Sequence, residues 1–283
     1  MQIARRSSIL NTVLLAFVVG GGVALAGWQT GTNGALLGLI PAALILGLGL
    51  RRAVRRWHLA RTPLPDRNRT WLSTHVPLYR TLDDSARARF ERDVQFVLDE
   101  YSFEGVKDVT VTDTLRLSVA AGVATLLHGR PSWELPGSNA VLFYPDRFND
   151  TYHESTDGAF DGMAHQQGPI ILTAPAVANS WAGAHDANNV VLHELAHLFD
   201  FDNEGADGVP SLVAILRPYA AEAPSEFFAV SVETFFEQPD RMARHHDELF
   251  RALVSFFHLD PRTGTRTGHP EKGTGKKGAS DVD

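Results

Sequence analysis

The stretch Val190-Val-Leu-His-Glu-Leu-Ala-His-Leu-Phe199 carries two histidines four positions apart, with a glutamate directly after the first. Positions i and i+4 share one face of a helix, so His193 and His197 can offer imidazole nitrogens to a single metal ion. Glu194 is turned about 100° from His193 and can reach a water on that metal. Zinc lowers the pKa of such a water to about 7, and a carboxylate beside it can take the proton. The flanks are apolar, so these polar side chains would be buried, which is costly unless a metal or hydrogen bonds compensate. The plainer reading is a helix whose histidines lie exposed on a polar face.

A catalytic zinc ion usually has three protein ligands and a water. The metzincin pattern would place Gly and His three and six residues after His197. Asp200 and Asn203 stand there, which excludes that class. A carboxylate from a later helix remains. Glu222, Glu226, Glu233 and Glu237 all lie on or beside residues 224–237, and Glu226 and Glu233, seven apart, share a face. Spacing does not choose among them. Asp200 could orient a ligand imidazole, or could be a plain helix-terminal Asp. His128, His165, His245 and His246 read as ordinary surface or core residues.

The elements that must position these groups are legible in outline. Apolar spacing predicts a helix over 83–101. Alternation and β-branching predict a strand over 106–112, and Asp113 is placed to cap a helix running to Leu126. Short apolar runs predict strands at 140–144 and 170–173, the latter a candidate partner for an extended peptide substrate. Helices follow at about 187–199, 224–237 and 246–257. The expected class is α+β, a small sheet with helices around it. Pro63 and Pro65 suggest a linker over 62–75 leading to a domain at 76–260. Residues 261–283, rich in Gly, Thr and Lys, read as a disordered tail.

Charge is placed unevenly. Residues 1–61 hold seven arginines and no Asp or Glu; with −7 overall and +7 there, the remainder carries −14. An acidic soluble part argues against nucleic acid as the ligand. The absence of cysteine excludes disulfides, thiolate metal sites and a cysteine nucleophile. The arginines flank two apolar runs, 9–28 and 34–50, each of spanning length. Arg5 and Arg6 precede the first, Arg51 to Arg56 follow the second, and none lies between. This predicts a transmembrane helical hairpin at the inner (cytoplasmic) membrane, with the following domain facing the cytoplasm. The competing reading is a cleaved signal ending near Ala24-Leu25-Ala26.

Three stretches together resemble the Mlc titration factor A peptidases: 189–200, Gly205-Ala-Asp-Gly-Val-Pro210, and Tyr219-Ala-Ala-Glu-Ala-Pro-Ser-Glu-Phe-Phe-Ala229. Phe103-Glu-Gly105, Val109-Thr-Val-Thr-Asp113 and Leu142-Phe-Tyr-Pro145 fit as well, so the resemblance covers roughly 75–258. It implies a zincin-like metallopeptidase of the gluzincin type, related to the catalytic domain of anthrax lethal factor. By resemblance, zinc is held by His193, His197 and Glu226, Glu194 is the general base, and Tyr219 stabilises the oxyanion. It also implies a peptide or protein substrate, and a transcription regulator as candidate partner, which nothing else in the sequence encodes. The chain departs from the family in its membrane hairpin and in the segment 211–218, which is shorter here. The rival reading is a non-catalytic zinc-fold protein that sequesters a transcription regulator at the membrane. The intact Glu194 argues against it, since a scaffold does not need the base.

Overall fold

A computed structural model describes the chain outside residues 30, 32, 136–137, 149–160, 165–167, 184–187, 203–223 and 268–283. Two long apolar helices come first, α1 (Arg6–Trp28) and, after a 3-10 turn at Gly34–Gly38, α2 (Leu39–Leu59). Next are α3 (Asp66–His75), α4 (Pro77–Thr81), α5 (Asp84–Glu100), β1 (Ser102–Gly105) and α6 (Asp113–Leu127). The sheet is completed by β2 (Ala140–Tyr144), β3 (Gly162–Met163) and β4 (Ile170–Thr173). Helices α7 (Ala174–Ser180), α8 (Val190–Asp202), α9 (Pro224–Glu237), α10 (Pro239–His245) and α11 (Asp247–Phe257) lead to a small hairpin, β5 (Leu259–Asp260) and β6 (Thr265–Arg266).

The main sheet has the order β1-β2-β4-β3, with β1, β2 and β4 parallel and β3 antiparallel to β4. Strand β4 is therefore paired on both sides, and the expectation that 170–173 offers an edge to a peptide does not hold. The strand expected at 106–112 is also absent. The strand is 102–105 instead, and the chain turns directly after it: Lys107 is left-handed (φ 55) and the Val109 amide donates to the Val106 carbonyl. At Gly105 any side chain would strike the Val109 carbonyl, so this turn needs glycine.

Helix α6 is buried on nearly every side. Its run of small residues lets neighbours approach closely, α8 among them. A Cβ on Gly122 would lie 2.6 Å from Val191 and 2.9 Å from Leu195. Gly122 thus sets how deep the helix carrying His193 can sit. A second wall is aromatic. Phe199 of α8 meets Phe256 and Phe257 of α11 edge to face at 6.3 and 6.0 Å, and Phe228 and Phe236 of α9 meet the same pair at 6.0 and 5.1 Å. Such contacts favour one relative orientation, and here they fix α9 beside α8.

His128, at the end of α6, is 3% exposed and stands against Phe90, with no hydrogen-bond partner for Nε2. Burial pushes its pKa down to about 3. Below pH 6.5 the unfolded chain takes up a proton that the folded chain refuses, so this histidine makes stability fall as pH falls. Between pH 6.5 and 4 the loss is roughly 3 kcal/mol. Thermal unfolding scans should show the wild type losing stability over that window more steeply than His128→Leu. Parallel pH profiles would refute this.

Helices α1 and α2 are both long and apolar enough to cross a membrane, and only 11% and 6% of their most apolar stretches are buried. A core helix of a soluble protein would be covered; here Phe17, Leu25 and Ile40 are 76, 76 and 68% exposed. The two helices run antiparallel and pack through small residues. A Cβ on Gly20 would come within 2.8 Å of Ala42 Cβ, a Cβ on Gly38 would strike the Gly20 carbonyl, and Gly49 lies against Thr12. Close backbone approach of this kind drives association where no hydrophobic force separates helix from lipid.

Helix α2 does not stop at residue 50. Its last turns lie on the domain, where Arg56 is 2% exposed and donates to Glu100 at 2.8 Å, Glu134 at 2.9 Å and the Gln2 carbonyl. Its guanidinium also stacks over Phe96 at 4.9 Å. Arg52 reaches the same two carboxylates, and the Met1 amine pairs with buried Asp93 at 2.6 Å. The stretch read as a linker, 62–75, contains α3. Of the stretch read as a tail, 261–267 turns at Gly264 (φ 67) to form the β5–β6 hairpin, held by Arg262 on Asp260.

Candidate metal centre

Asn189 starts the central helix. Its side-chain oxygen accepts from the Leu192 amide at 3.1 Å, the capping that Asn favours. The helix therefore begins at Val190, three residues later than the apolar pattern suggests. Asn189 is wholly buried and also donates from Nδ2 to the Ser180 carbonyl at 2.9 Å and to Glu237 at 2.8 Å. Its backbone amide donates to Glu233 Oε2 at 2.5 Å. Helix α8 is thus pinned at its first turn to α7 and α9.

On the cleft face of α8, the rings of His193 and His197 stand 5.0 Å apart at 73°. Glu226, in the first turn of α9, points between them. Its Oε2 is 3.3 Å from His193 Nε2 and its Oε1 is 3.5 Å from His197 Nε2. Ligand atoms held at zinc-like bond lengths in a tetrahedron lie about 3.3 Å apart. These three residues could hold a metal ion, their ligand atoms all lying within 4.8 Å of one another.

The four candidate carboxylates separate in space. Glu226 joins the histidines. Glu233, 4% exposed, accepts from His193 Nδ1 at 2.8 Å, and Glu237 holds Asn189. Glu222 lies outside the described residues, as do Tyr219, His165 and the side chain of Asp200. With Glu233 ionised, the His193 proton is fixed on Nδ1 and the Nε2 lone pair is left facing Glu226. An acceptor of this kind raises ligand basicity and locks ring orientation. Without metal, burial opposes the His193 cation, but the hydrogen bond and charge of Glu233, with Glu194 and Glu226, outweigh it and raise the pKa. His197 is lowered, by burial and by the His193 charge. Replacing Glu233 with Gln should weaken metal binding about 10- to 100-fold. Competition with a chromophoric chelator measures this; an unchanged affinity would remove Glu233 from the site.

Glu194 is 7% exposed and lies beneath β3. Burial pushes its pKa up to about 7, against the pull of the His193 cation and of a hydrogen bond from the Ala164 backbone. A Cβ on Gly162 would lie 2.7 Å from Glu194 Oε1, so Gly162 is the residue that lets the carboxyl occupy this place. Neither Gly162 nor Asn189 was singled out from the sequence. Asn before an apolar helix is a readable cap signal, whereas the need for Gly162 exists only once β3 and α8 are brought together.

These groups line a cleft of 870 Å³ between α8, β3 and the start of α7. Asp146, Arg147 and Asp161 form one rim, with Arg147 donating twice to Asp161 at 3.0 and 2.5 Å. A concave site holding two histidines, an exposed carboxylate and a buried carboxyl of raised pKa has the donors for a metal and a group able to move a proton.

The family described as glucose-regulated metallo-peptidase M90 matches residues 50–215 and 212–258. The two matches overlap over 212–215. An uncharacterized protein of Synechocystis sp., slr2042, is 28% identical over 271 residues, 79% of this chain and 98% of its own. Mlc titration factor A of Yersinia enterocolitica is 25% identical over 229 residues, 66% of this chain and 84% of its own. The same-named protein of Serratia proteamaculans is also 25% identical, over 66% of this chain and 85% of its own.

Proposed function

Since the chain belongs to the glucose-regulated metallo-peptidase M90 family, we propose that it is a zinc-dependent peptidase in which His193, His197 and Glu226 hold the metal and Glu194 is the general base. The observation that carries this reading is the meeting of both histidine Nε2 atoms with Glu226 above a buried Glu194. Two imidazoles and one carboxylate suit zinc, a borderline-soft ion. When bound, zinc supplies a Lewis acid for the scissile carbonyl and lowers the pKa of a water. Glu194, buried beside the two histidines, would serve as the group that accepts a water proton and passes it to the leaving amine. Glu233 holds His193 in its ligand tautomer, and Gly162 leaves Glu194 room to move its proton. Tyr219, by the family pattern, donates to the oxyanion; it lies outside the described residues.

Helices α1 and α2 are read as membrane spans with both ends in the cytoplasm. The arginines at Arg5, Arg6 and Arg51–Arg56 support that orientation. The docking of Arg56 and Met1 on the domain keeps the start of α1 and the end of α2 on one side, the domain's. A cleaved signal would remove the helix against which α2 packs.

A second reading draws on the relatives' name, Mlc titration factor, which describes binding of a regulator. In it, the cleft face captures a transcription regulator without hydrolysis. Incubating the full chain in neutral detergent with zinc and a mixture of peptides separates the two. A peptidase yields new termini identifiable by mass spectrometry, whose positions tell endopeptidase from aminopeptidase. Intact peptides with zinc in place would favour the binding protein.

A further inference from the structure

Helix α2 carries its arginines on two faces. Arg52 and Arg56, four apart, turn toward the domain and pair with Glu100 and Glu134. Arg51 and Arg55, also four apart, lie on another face, from which Arg55 still reaches the domain at Asp99 of α5. They line a separate groove of 790 Å³ with Leu46, Gly47, Leu50 and Val54, and with Asp99 beside Arg55. Residues 47, 50, 51, 54, 55 and 58 follow one stripe of the helix, so the groove runs along α2 from the apolar span to the domain. Its upper part is aliphatic and its lower part is cationic, with His58 at the foot. Gly47 opens it, because a Cβ there would meet nothing within 4 Å.

The two charges at the base differ in their pairing. Arg55 lies 2.6 Å from Asp99 and is 66% exposed on its side chain. Arg51 is exposed and makes no ion pair with a described residue. One net positive charge therefore remains at the level where the apolar span ends. Stability of the domain does not account for Arg51, since Arg52 and Arg56 already make the contacts to it.

We infer that this groove is a binding site for one phospholipid with an anionic headgroup, its acyl chain lying along Leu46, Gly47, Leu50 and Val54 and its phosphate at Arg51 and Arg55. The inference rests on the membrane reading above. An aliphatic slot continuous with a span, ending in cations, matches a lipid's own division into tail and phosphate, and basic pockets at the cytoplasmic end of spans are where anionic headgroups bind. A free phosphate would use the cations but have no use for the slot. The site ties the domain to the bilayer surface at a defined height and rotation, in addition to the hold of the two spans.

The full chain in neutral detergent would be titrated with dioleoyl phosphatidylglycerol or dioleoyl phosphatidylcholine, and the retained lipid counted by native mass spectrometry. One phosphatidylglycerol should be retained at concentrations where phosphatidylcholine is not. The double substitution Arg51→Gln, Arg55→Gln should weaken that retention roughly 30-fold while peptide turnover stays unchanged. Gly47→Leu, which fills the slot, should weaken retention with the charges intact. Equal retention of both lipids, a preference surviving the double substitution, or displacement by inorganic phosphate would each overturn the inference. Alkaline extraction of the membranes distinguishes the two layers. A chain that stays with the membrane but shows no lipid preference sinks the lipid site alone, whereas a chain released as soluble protein sinks the membrane reading with it.

Discussion

Glu226→Ala should lose its metal and with it all turnover, while keeping its fold. The carboxylate is 60% exposed on its side chain, so its removal opens no cavity and leaves no buried partner. Surface changes of this kind usually stay within about 0.5 kcal/mol. Its chemical role is far larger, because Glu226 is the only carboxylate whose oxygens approach both His193 and His197 among the described residues. Losing a direct ligand must weaken metal binding by more than the 10- to 100-fold that an outer partner costs. Metal content after dialysis, set beside thermal unfolding of the metal-free protein, measures both quantities. Retained metal in a well-folded variant would move the third ligand elsewhere, to Glu222 or to Asp200.

The second large effect is expected at Arg56. Removing one partner from a buried ion pair costs about 3 to 5 kcal/mol, because a charge is left behind without water. Here Arg52 still faces Glu100 and Glu134, which places Arg56→Met near the lower end, at about 3 kcal/mol. The same substitution also releases the Gln2 carbonyl and so loosens the start of α1. Unfolding in detergent should show a lower midpoint, and limited proteolysis should cut earlier between α2 and α3. Unchanged melting and proteolysis would mean that the anchor rests on the domain without stabilising it. A fragment beginning at residue 62 would lack Arg52, Arg56 and the Met1 contact together, so the full chain is the proper material for activity measurements.

What was legible in the sequence was what is local. The i, i+4 histidines with Glu194 follow from helix geometry alone, and the bounds of 224–237 follow from its proline start and apolar period. The helix over 84–100 was equally plain, with Asp83 accepting from the Ala86 amide as its cap. The failure at 106–112 shows the limit of propensity. Val106, Val109 and Val111 favour strands, yet the chain turns at Lys107, and the strand is the exposed Ser-Phe-Glu-Gly before it. An edge strand with one covered position needs no apolar run.

The roles of the later carboxylates were illegible for another reason. Glu226, Glu233 and Glu237 share one helix, and only the packing of α9 on α8 through the phenylalanine wall decides which meets the two histidine Nε2 atoms, which meets His193 Nδ1 and which meets Asn189. The family pattern pointed to Glu226, and the geometry brings that residue to the histidines. It gave no hint of Glu233. The second half of α2 was likewise hidden, since arginines that look like the end of a span turn out to be pairing residues, as the acids they meet lie 44 and 78 positions further on.

The most direct test compares the full chain with Glu194→Gln, both loaded with zinc in neutral detergent, by peptide turnover and by zinc content measured on the same samples. The account predicts that both hold one zinc and that only the wild type cleaves, with the variant reduced at least 100-fold. Equal turnover in the two proteins, with zinc present in both, would contradict Glu194 as the base and the peptidase mechanism built on it.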